Sequence, residues 1–205
     1  GRRIGAWSEP GVRVVTAFSF YANKNVTSGE GGMVTTHDAA LAERMQILRL
    51  HGLSRDAWKR FRREGSWYYE IVEPGFKYNP SDILSVIALY QMRRCDEFLE
   101  RRRRQADVYA EVLGGEPTVE LPRDSGRGLD SWHLYVVKLA LERLKIDRGQ
   151  FLNALAAAEV GHGVHYIPLH QHPYYRNRFG YTPEALPVAH ALSTRIASLP
   201  LSQGL

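Results

Sequence analysis

The sequence predicts an α/β protein in two parts, on the evidence of three features. β-branched and aromatic residues fill positions 12–20, which is typical of a strand. Apolar residues recur at helical spacing across 82–113. A stretch rich in glycine, proline and charged residues, 114–130, then precedes a second strand-like segment, WHLYVVKLA, at 132–140. We therefore expect one domain over residues 1–115 and a smaller α+β domain over residues 116–205.

Composition argues against several classes of protein. The 205 residues are 44% hydrophobic and 24% charged, which suffices for a buried core. The sequence has no apolar run of about 18 residues, and its first ten residues lack the apolar core of a signal peptide. Cys95 is the single cysteine, so an internal disulfide cannot form and a reducing compartment is favoured. We therefore expect a cytoplasmic protein with no membrane partner.

The first domain begins with a predicted buried strand over 12–20 and a second short strand over 31–36. Asp38 is placed to cap a helix over 39–50, whose inward-facing side chains are Leu41, Met45 and Leu48. Residues 51–82 form a long irregular stretch, and such a loop in a compact chain is usually functional or disordered.

Ser81 is placed to cap one long helix over 82–113. Its apolar residues fall on one side of the helix: Leu84, Ile87, Cys95, Phe98, Tyr109 and Val112. The second domain continues after its first strand with a helix over 146–160 capped by Asp147. A strand over 163–169 and a final helix within 183–201, ended by Leu199-Pro200, complete it.

The net charge of +5 and a pI near 9.4 are features that nucleic-acid-binding proteins share. Much of the excess is local, in arginine clusters at 60–63, 93–94 and 101–104. Four consecutive arginines on a helix point in different directions and cannot form one stripe. Arg102 follows Phe98 by four residues, so its stem is expected to run along apolar surface. We expect a solvated helix face and no nucleic-acid partner.

One lysine stands in an unusual setting, in the segment FSFYANKNVTSGEGG at 18–32. Lys24 lies just past a predicted strand end, among small and polar residues, and a neutral amine held there could condense with an aldehyde or ketone. Alternation would place Ser19 opposite Phe18 and Phe20, so its hydroxyl could bind a phosphate oxygen while the two rings face the core. The spacing alone does not distinguish this amine from a solvated surface lysine.

Three further patterns have competing interpretations. The histidines within 162–172 could suggest a metal site, but a strand followed by a proline turn would spread them apart, so we expect no metal. In that arrangement His165 faces a pocket and the others lie at the surface. The GEGG turn lacks the GK[ST] ending of a phosphate loop. The loop aromatics could stack on a nucleotide base or pack the loop onto the protein: Trp58, Trp67, Tyr68 and Tyr69.

The segment FSFYANKNVTSGEGGMVTT resembles the lysine segment of the sugar aminotransferases of the DegT/DnrJ/EryC1/StrS family. That segment typically has an aromatic-Ser-aromatic strand, a lysine that binds the cofactor, an asparagine and a GEGG-like turn. The resemblance continues, in the family's order, through LRLHGLSRDAW, EPGFKYNPSDILSVIALYQMRRCDEFLERRR, SWHLYVVKL, GVHYIPLHQHPYY and SLPL. It covers nearly all of the sequence.

The resemblance implies a fold-type I pyridoxal 5'-phosphate (PLP) transferase, here as a partial large domain followed by a small α+β C-terminal domain. It also implies a homodimer with sites at the interface. Lys24 matches the covalent cofactor lysine and Ser19 a ligand of the cofactor phosphate. The strip GFKYN would reach into the partner subunit's site, with Lys77 or Asn79 near that phosphate. Alternation along this extended strip would place Lys77 and Asn79 on one side, and Phe76 and Tyr78 on the other, buried against the protein. The residues assigned to the substrate pocket are His165, Tyr21 and Trp58.

The implied activity is PLP-dependent transfer of an amino group from glutamate to a keto-sugar nucleotide, in deoxyamino sugar and polysaccharide biosynthesis. One alternative is a non-catalytic remnant or interaction module of the same fold. Another is a PLP-dependent sugar dehydratase, but those relatives carry histidine where this sequence has Lys24.

In the family, about half of the protein precedes the lysine segment. That half supplies the acid for the pyridine nitrogen, the aromatic residue stacked on the ring and a phosphate-binding turn, and a last helix follows SLPL. We expect those parts to lie outside these 205 residues. The 205 residues alone are therefore expected to bind PLP weakly and to lack transaminase activity.

Overall fold

The computed structural model describes residues 11–54, 68–123 and 130–204. The chain forms two compact units, residues 1–95 and 96–205, and each is described by itself. The expected domain division after residue 115 lies further along the chain than this unit boundary and stays a prediction. In the ranges described, no helix combines the length and apolarity needed to cross a membrane.

The first unit begins with a two-stranded antiparallel sheet, β1 (Val15–Ser19) and β2 (Gly32–Thr36). The strands pair in register, so that Ser19 lies opposite Gly32 at the end that leads into the connecting turn. Both predicted strands are confirmed, with shorter bounds. The first is not buried, since Phe18 is 36% exposed, and the expectation that its ring faces a core is wrong. A ribbon of two strands has too few neighbouring side chains to cover its faces.

Two helices of this unit begin where the sequence predicts. Helix α1 (Ala39–Leu48) starts at Asp38, whose Oδ1 accepts the Leu41 N–H at 3.0 Å. Helix α2 (Asp82–Arg93) starts at Ser81, whose Oγ accepts the Leu84 N–H at 3.3 Å. In each case a short polar side chain satisfies a backbone donor that the first helical turn leaves unpaired. Both predicted N-caps are therefore confirmed.

The segments 48–54 and 70–79 are joined by backbone hydrogen bonds. The Phe76 N–H donates to the Leu48 carbonyl at 2.7 Å, and the Val72 N–H donates to the Gly52 carbonyl at 2.9 Å. At their closest approach there is no space for a side chain. A Cβ on Gly52, which has φ +71°, would lie 1.7 Å from the Glu73 oxygen, and one on Gly75 would lie 2.0 Å from the Gly52 nitrogen. Both positions therefore require glycine.

The predicted long helix over 82–113 is wrong, because the chain forms two helices, α2 and α3 (Cys95–Leu113). Arg94, between them, has φ −105° and ψ 8°, outside the helical region, and its N–H donates to the Gln91 carbonyl three residues back. The boundary between the two compact units falls at this break. The expected single apolar side is also wrong: Ile87 of α2 is exposed, and within α3 Phe98 is buried whereas Val112 is exposed.

The second unit contains a three-stranded antiparallel sheet in the order β3–β4–β5. Its strands are β3 (Val119–Glu120), β4 (Tyr135–Leu139) and β5 (Ile196–Leu199). Alternate residues of β4 are buried, and Tyr135 and Val137 form the core with Ala106 of α3 and Ala197 of β5. The strand predicted over 132–140 is confirmed, and one face of the sheet packs on α3.

The helices of this unit agree only partly with the sequence prediction. Helix α4 (Arg148–Ala157) begins with the predicted cap, because Asp147 Oδ1 accepts the Gln150 N–H at 2.8 Å. Helix α5 (Pro173–Phe179) was not predicted. Helix α6 (Pro187–Arg195) ends before Leu199, because its last predicted residues pair with β4 as strand β5. The strand expected over 163–169 is reduced to one bridge, between Gly163 and Ser198.

Four side chains of α3 hold the segment that follows β5. They donate to successive backbone carbonyls at 2.7–3.2 Å: Tyr109 to Pro200, Arg102 to Leu201, Gln105 to Ser202 and Arg101 to Gln203. The Arg102 guanidinium also donates to the Trp132 carbonyl at 2.9 Å. Arg102 is only 4% exposed, so a solvated face is the wrong interpretation for this arginine. Its burial lowers the pKa of the guanidinium.

We expect Gly75→Ala to destabilise the protein by about 3 kcal/mol or more, because the obstructing atom belongs to the backbone and cannot rotate away. Chemical denaturation measures the change. The control is Gly115→Ala, because a Cβ there meets nothing within 4 Å. Similar stability of the two variants would contradict the close approach.

We expect Arg102→Ala to cost about 2 kcal/mol or more, because three carbonyls lose a charged donor and buried polar groups are left unpaired. Arg104→Ala is the matched control. Arg104 is exposed on the same helix and pairs with Glu100, so its loss should cost no more than about 0.5 kcal/mol. Equal midpoints of thermal unfolding for the two variants would show that Arg102 is not a structural residue.

Candidate functional site

The turn between β1 and β2 carries Lys24. Its backbone is closed by the Phe20 N–H donating to the Gly31 carbonyl at 2.9 Å and the Ser28 N–H donating to the Phe20 carbonyl at 3.0 Å. The Lys24 N–H donates to the Tyr21 carbonyl at 2.9 Å, which forms a tight turn at the lysine itself. Lys24 is half-buried. The amine is therefore carried by an ordered turn at the strand end, as the sequence predicts.

Two hydroxyl groups that sequence reasoning missed stabilise this turn. Thr27 Oγ1 accepts the Gly29 N–H at 2.9 Å, and the buried Ser28 hydroxyl donates to the Glu30 carbonyl at 2.7 Å. Gly29 and Gly31 have φ +86° and +131°, which explains the need for glycine at these two positions of the GEGG motif. The pair Thr-Ser directly before a glycine was the available signal, because such hydroxyls commonly bind nearby backbone groups.

Ser19 and Tyr21 lie at the entry to the same turn. Ser19 is exposed at the last position of β1, and its Oγ accepts the Tyr21 N–H at 3.3 Å. Tyr21 is also exposed. The turn thus brings a hydroxyl, a phenol and the Lys24 amine into one short segment. Their roles toward a cofactor or substrate remain predictions.

The strip GFKYN shows the predicted alternation. Lys77 Nζ donates to Asn79 Oδ1 on one side, and the rings of Phe76 and Tyr78 stack on the other, with centroids 4.8 Å apart and planes 5° apart. The expectation that this aromatic pair would be buried is wrong, since Phe76 is 51% and Tyr78 72% exposed. The two rings cover each other rather than the body of the unit. The strip presents an ammonium and an amide together.

His165 lies in the second unit and borders an open cleft of about 510 Å³. Its Nδ1 is 2.7 Å from the hydroxyl of the buried Ser198. The prediction that His165 faces a pocket is confirmed. The other side chains around the cleft are Pro122, Arg123, Val136, Lys138, Tyr166, Pro168, Ala189, Leu192, Ser193 and Ile196.

Charge in and beside this cleft is predominantly positive. Lys138 Nζ donates to Glu120 Oε1, and Arg195 Nη1 donates to Glu120 Oε2 at 3.4 Å. The hydrogen bond from Lys138 is the main cause that lowers the pKa of Glu120, so the carboxylate stays ionised. Lys138 and Arg195 thus share the single carboxylate of Glu120, and Arg123 adds a third positive charge to this region. Such a surface favours an anionic ligand.

The remaining histidines differ from the prediction in one respect. His162 and His172 are exposed, but His170 is only 5% exposed, so its expected surface position is wrong. A short 3₁₀ helix, Leu169–Gln171, turns this ring inward, where its centroid lies 6.5 Å from that of Tyr181. Among the described residues, no group of three His, Cys, Asp or Glu side chains is arranged to hold a metal ion.

Part of the predicted site lies outside the described residues. Trp58 and Trp67 fall there, and so does the arginine cluster at 60–63. Tyr68 and Tyr69 are described, and both are exposed. The choice between base stacking and loop packing stays open for Trp58.

The donor set of the first unit fits pyridoxal phosphate. A primary amine, Lys24, can bind an aldehyde. A hydroxyl, an ammonium and an amide, on Ser19, Lys77 and Asn79, are groups that donate to phosphate oxygens. The amine and the hydroxyl come from one turn, which its own hydrogen bonds hold in place.

Comparisons with known proteins agree with the resemblance. The profile of the DegT/DnrJ/EryC1/StrS aminotransferase family matches residues 1–205. The Bacillus subtilis spore coat polysaccharide biosynthesis protein SpsC is 41% identical over 91% of this chain and 48% of its own length. The chain spans about half the length of the curated relatives that it matches.

Solved structures give the same result. Streptococcus pneumoniae Spr1654 in its PMP form matches with a TM-score of 0.80 and 32% identity, over 93% of this chain and 49% of that one. The same protein has been solved in a PLP form. Helicobacter pylori PseC, an aminotransferase of pseudoaminic acid biosynthesis, matches with a TM-score of 0.78 and 25% identity, over 92% and 48% of the two chains.

Proposed function

This chain belongs to the DegT/DnrJ/EryC1/StrS aminotransferase family, and on that premise we propose that the whole protein transfers an amino group from glutamate to a keto-sugar nucleotide. The cofactor is pyridoxal phosphate, as the sequence led us to expect. The observation that carries the proposal is the ordered β1–β2 turn that presents Lys24. The α/β fold class agrees with these relatives, which are sugar aminotransferases of fold type I.

The residues of the first unit have distinct roles in this proposal. When bound, pyridoxal phosphate supplies an aldehyde and an electron-accepting ring for amino-group chemistry. Lys24 would hold that aldehyde through Nζ and, once displaced, carry a proton at the reacting carbon. Ser19 would donate to a phosphate oxygen. Lys77 and Asn79 would hold the phosphate of the partner subunit's cofactor.

The substrate assignment is supported by the relatives and by the second unit. SpsC is a spore coat polysaccharide biosynthesis protein and PseC an aminotransferase of pseudoaminic acid biosynthesis, both consistent with an amino sugar product. The cleft beside His165 carries cations suited to a phosphorylated ligand. Tyr21, Trp58 and His165 are each proposed as substrate contacts. Lys24 disfavours the dehydratase alternative, whose members carry histidine at that position.

We further propose that the chain forms a partial large domain and a small α+β C-terminal domain, and that the protein is a homodimer. Half the length of the matched relatives is outside these residues, so the activity is assigned to the whole protein. The 205 residues alone are expected to be inactive. A non-catalytic remnant is the alternative to this assignment, and cytoplasmic location stays a prediction.

We expect borohydride treatment of the whole protein with PLP to leave a pyridoxyl group on Lys24, found by peptide mass spectrometry. Lys24→Ala should lose the visible absorption and the label, whereas Lys145→Ala, an exposed control, should keep both. Glutamate should bleach the absorption of the wild-type protein only. A label on Lys59 or Lys77 would overturn the assignment, and an absence of bleaching would favour the remnant.

We expect Lys77 and Asn79 to act across the subunit interface. Loss of one charge-assisted contact should weaken cofactor binding about 10- to 100-fold. Subunit mixing tests the interface: a Lys24→Ala protein is combined with a Lys77→Ala, Asn79→Ala protein, each nearly inactive alone. If the sites are shared, hybrids should regain activity in one site of two. Hybrids that form but stay inactive would place the strip in its own subunit's site.

A further inference from the structure

The face of the β3–β4–β5 sheet opposite the core carries an unusual pair of side chains. Ala197 and Leu199 of β5 pack in the core, so Ser198 between them faces the other way, yet it is only 4% exposed. At the edge of β5 away from β4, its backbone is bound to Gly163, with the Ser198 N–H donating to the Gly163 carbonyl at 2.8 Å and the reverse bond at 3.2 Å. This bridge brings the segment that carries His165 alongside Ser198.

Three contacts determine where the His165 ring lies. Its Nδ1 is 2.7 Å from Ser198 Oγ, and the edge of its ring contacts Tyr166, with centroids 4.8 Å apart and planes 83° apart. The bare Cα of Gly163 makes room for the ring, because a Cβ there would lie 2.8 Å from His165 Cε1. Among the described residues, Nε2 has no hydrogen-bond partner. The ring is therefore held from one nitrogen, beside the cleft.

Because the partner of Nδ1 is the Ser198 hydroxyl, the His165 ring can be protonated on either nitrogen without losing this hydrogen bond. A carboxylate or carbonyl partner only accepts, so it would impose a proton on Nδ1. A serine hydroxyl both donates and accepts, so its bond to Nδ1 persists in either neutral tautomer and in the imidazolium. The ring can thus keep its position while Nε2 is either a donor or an acceptor.

We propose that Ser198 is the positioning residue for His165, which it holds so that Nε2 meets a ligand bearing hydroxyl and phosphate groups in the cleft. The choice of a nucleotide sugar as that ligand rests on the proposed function. The cations Lys138 and Arg123 line the same cleft and suit the phosphate groups, while Nε2 suits a sugar hydroxyl in either role.

The first test observes the ring itself, in the whole protein labelled with ¹⁵N-histidine. Long-range ¹H–¹⁵N spectra report the tautomer and order of each imidazole, and His165→Gln identifies the signal. Ser198→Ala should release the ring, giving averaged shifts and the tautomer mixture of free histidine. Gly163→Ala should displace it. Ser202→Ala is the control, because among the described residues that side chain bonds to the Gly204 N–H alone, so the change should leave the signal unchanged.

The second test measures binding of two unreactive probes, UDP-N-acetylglucosamine and dTDP-glucose, by calorimetry. Ser198→Ala should weaken the binding of the preferred probe about five-fold, the effect of one lost hydrogen bond. His165→Ala should weaken it at least as much. The double variant should match His165→Ala alone, because a residue that acts only through another adds nothing once that one is gone. Ser198→Thr, which keeps the hydroxyl, should restore binding toward the wild-type value.

The outcomes distinguish the positioning role of Ser198 from the proposed nucleotide-sugar substrate. An unchanged ring spectrum in Ser198→Ala, or additive losses in the double variant, would overturn the positioning role. A released ring with unchanged affinity in both single variants would remove His165 from the ligand site and contradict the proposed substrate. If neither probe binds the wild-type protein, the proposed substrate class fails, and the ring spectra alone decide whether Ser198 positions the imidazole.

Discussion

The buried guanidinium of Arg102 is the interaction on which the second unit depends. It donates to carbonyls at Trp132 and Leu201, which lie just before β4 and just after β5. The two strands are thereby held to α3 at the same end of the sheet, where Tyr135 of β4 pairs with Leu199 of β5. Taking a charge out of water costs free energy. The bonds from Arg102 Nη1 to the carbonyls offset part of that cost, while its Nε is buried without a hydrogen-bond partner among the described residues. Ser198, which contacts His165 beside the cleft, belongs to the strand held in this way.

Local sequence signals predicted the elements that local physics determines. Asp38, Ser81 and Asp147 cap their helices because a short polar side chain before an apolar run has one favourable conformation. The strands around the Lys24 turn follow from β-branched and aromatic residues. The same signals gave a wrong prediction where the conformation of a segment depends on a partner that is distant in the sequence. Residues 196–199 are compatible with helix and form a strand because β4 offers unpaired backbone groups.

The residues of the candidate site also separate into those that local sequence predicts and those that depend on a partner distant in the sequence. Lys24, Ser19 and the alternation of GFKYN could be found from sequence, since a motif and a period of two define them. The partner of His165 could not, because Ser198 is 33 residues away and meets it only through the bridge to Gly163. The spacing from Phe98 already distinguishes Arg102 from the other three arginines of its cluster. Its carbonyl partners at Trp132 and Leu201 lie 30 and 99 residues away, so they are found only in the structure.

The close approach of Gly52 and Gly75 affects how the chain between Ser54 and Glu70 is held. The Ser54 N–H donates to the Glu70 carbonyl at 2.9 Å, so the ends of the intervening stretch are held together independently of its length. Closing a flexible loop costs only about 0.6 kcal/mol more for each doubling of its residues. A change in the number of residues between Ser54 and Glu70 should therefore leave Lys77 and Asn79 where the contact of Gly52 with Gly75 holds them.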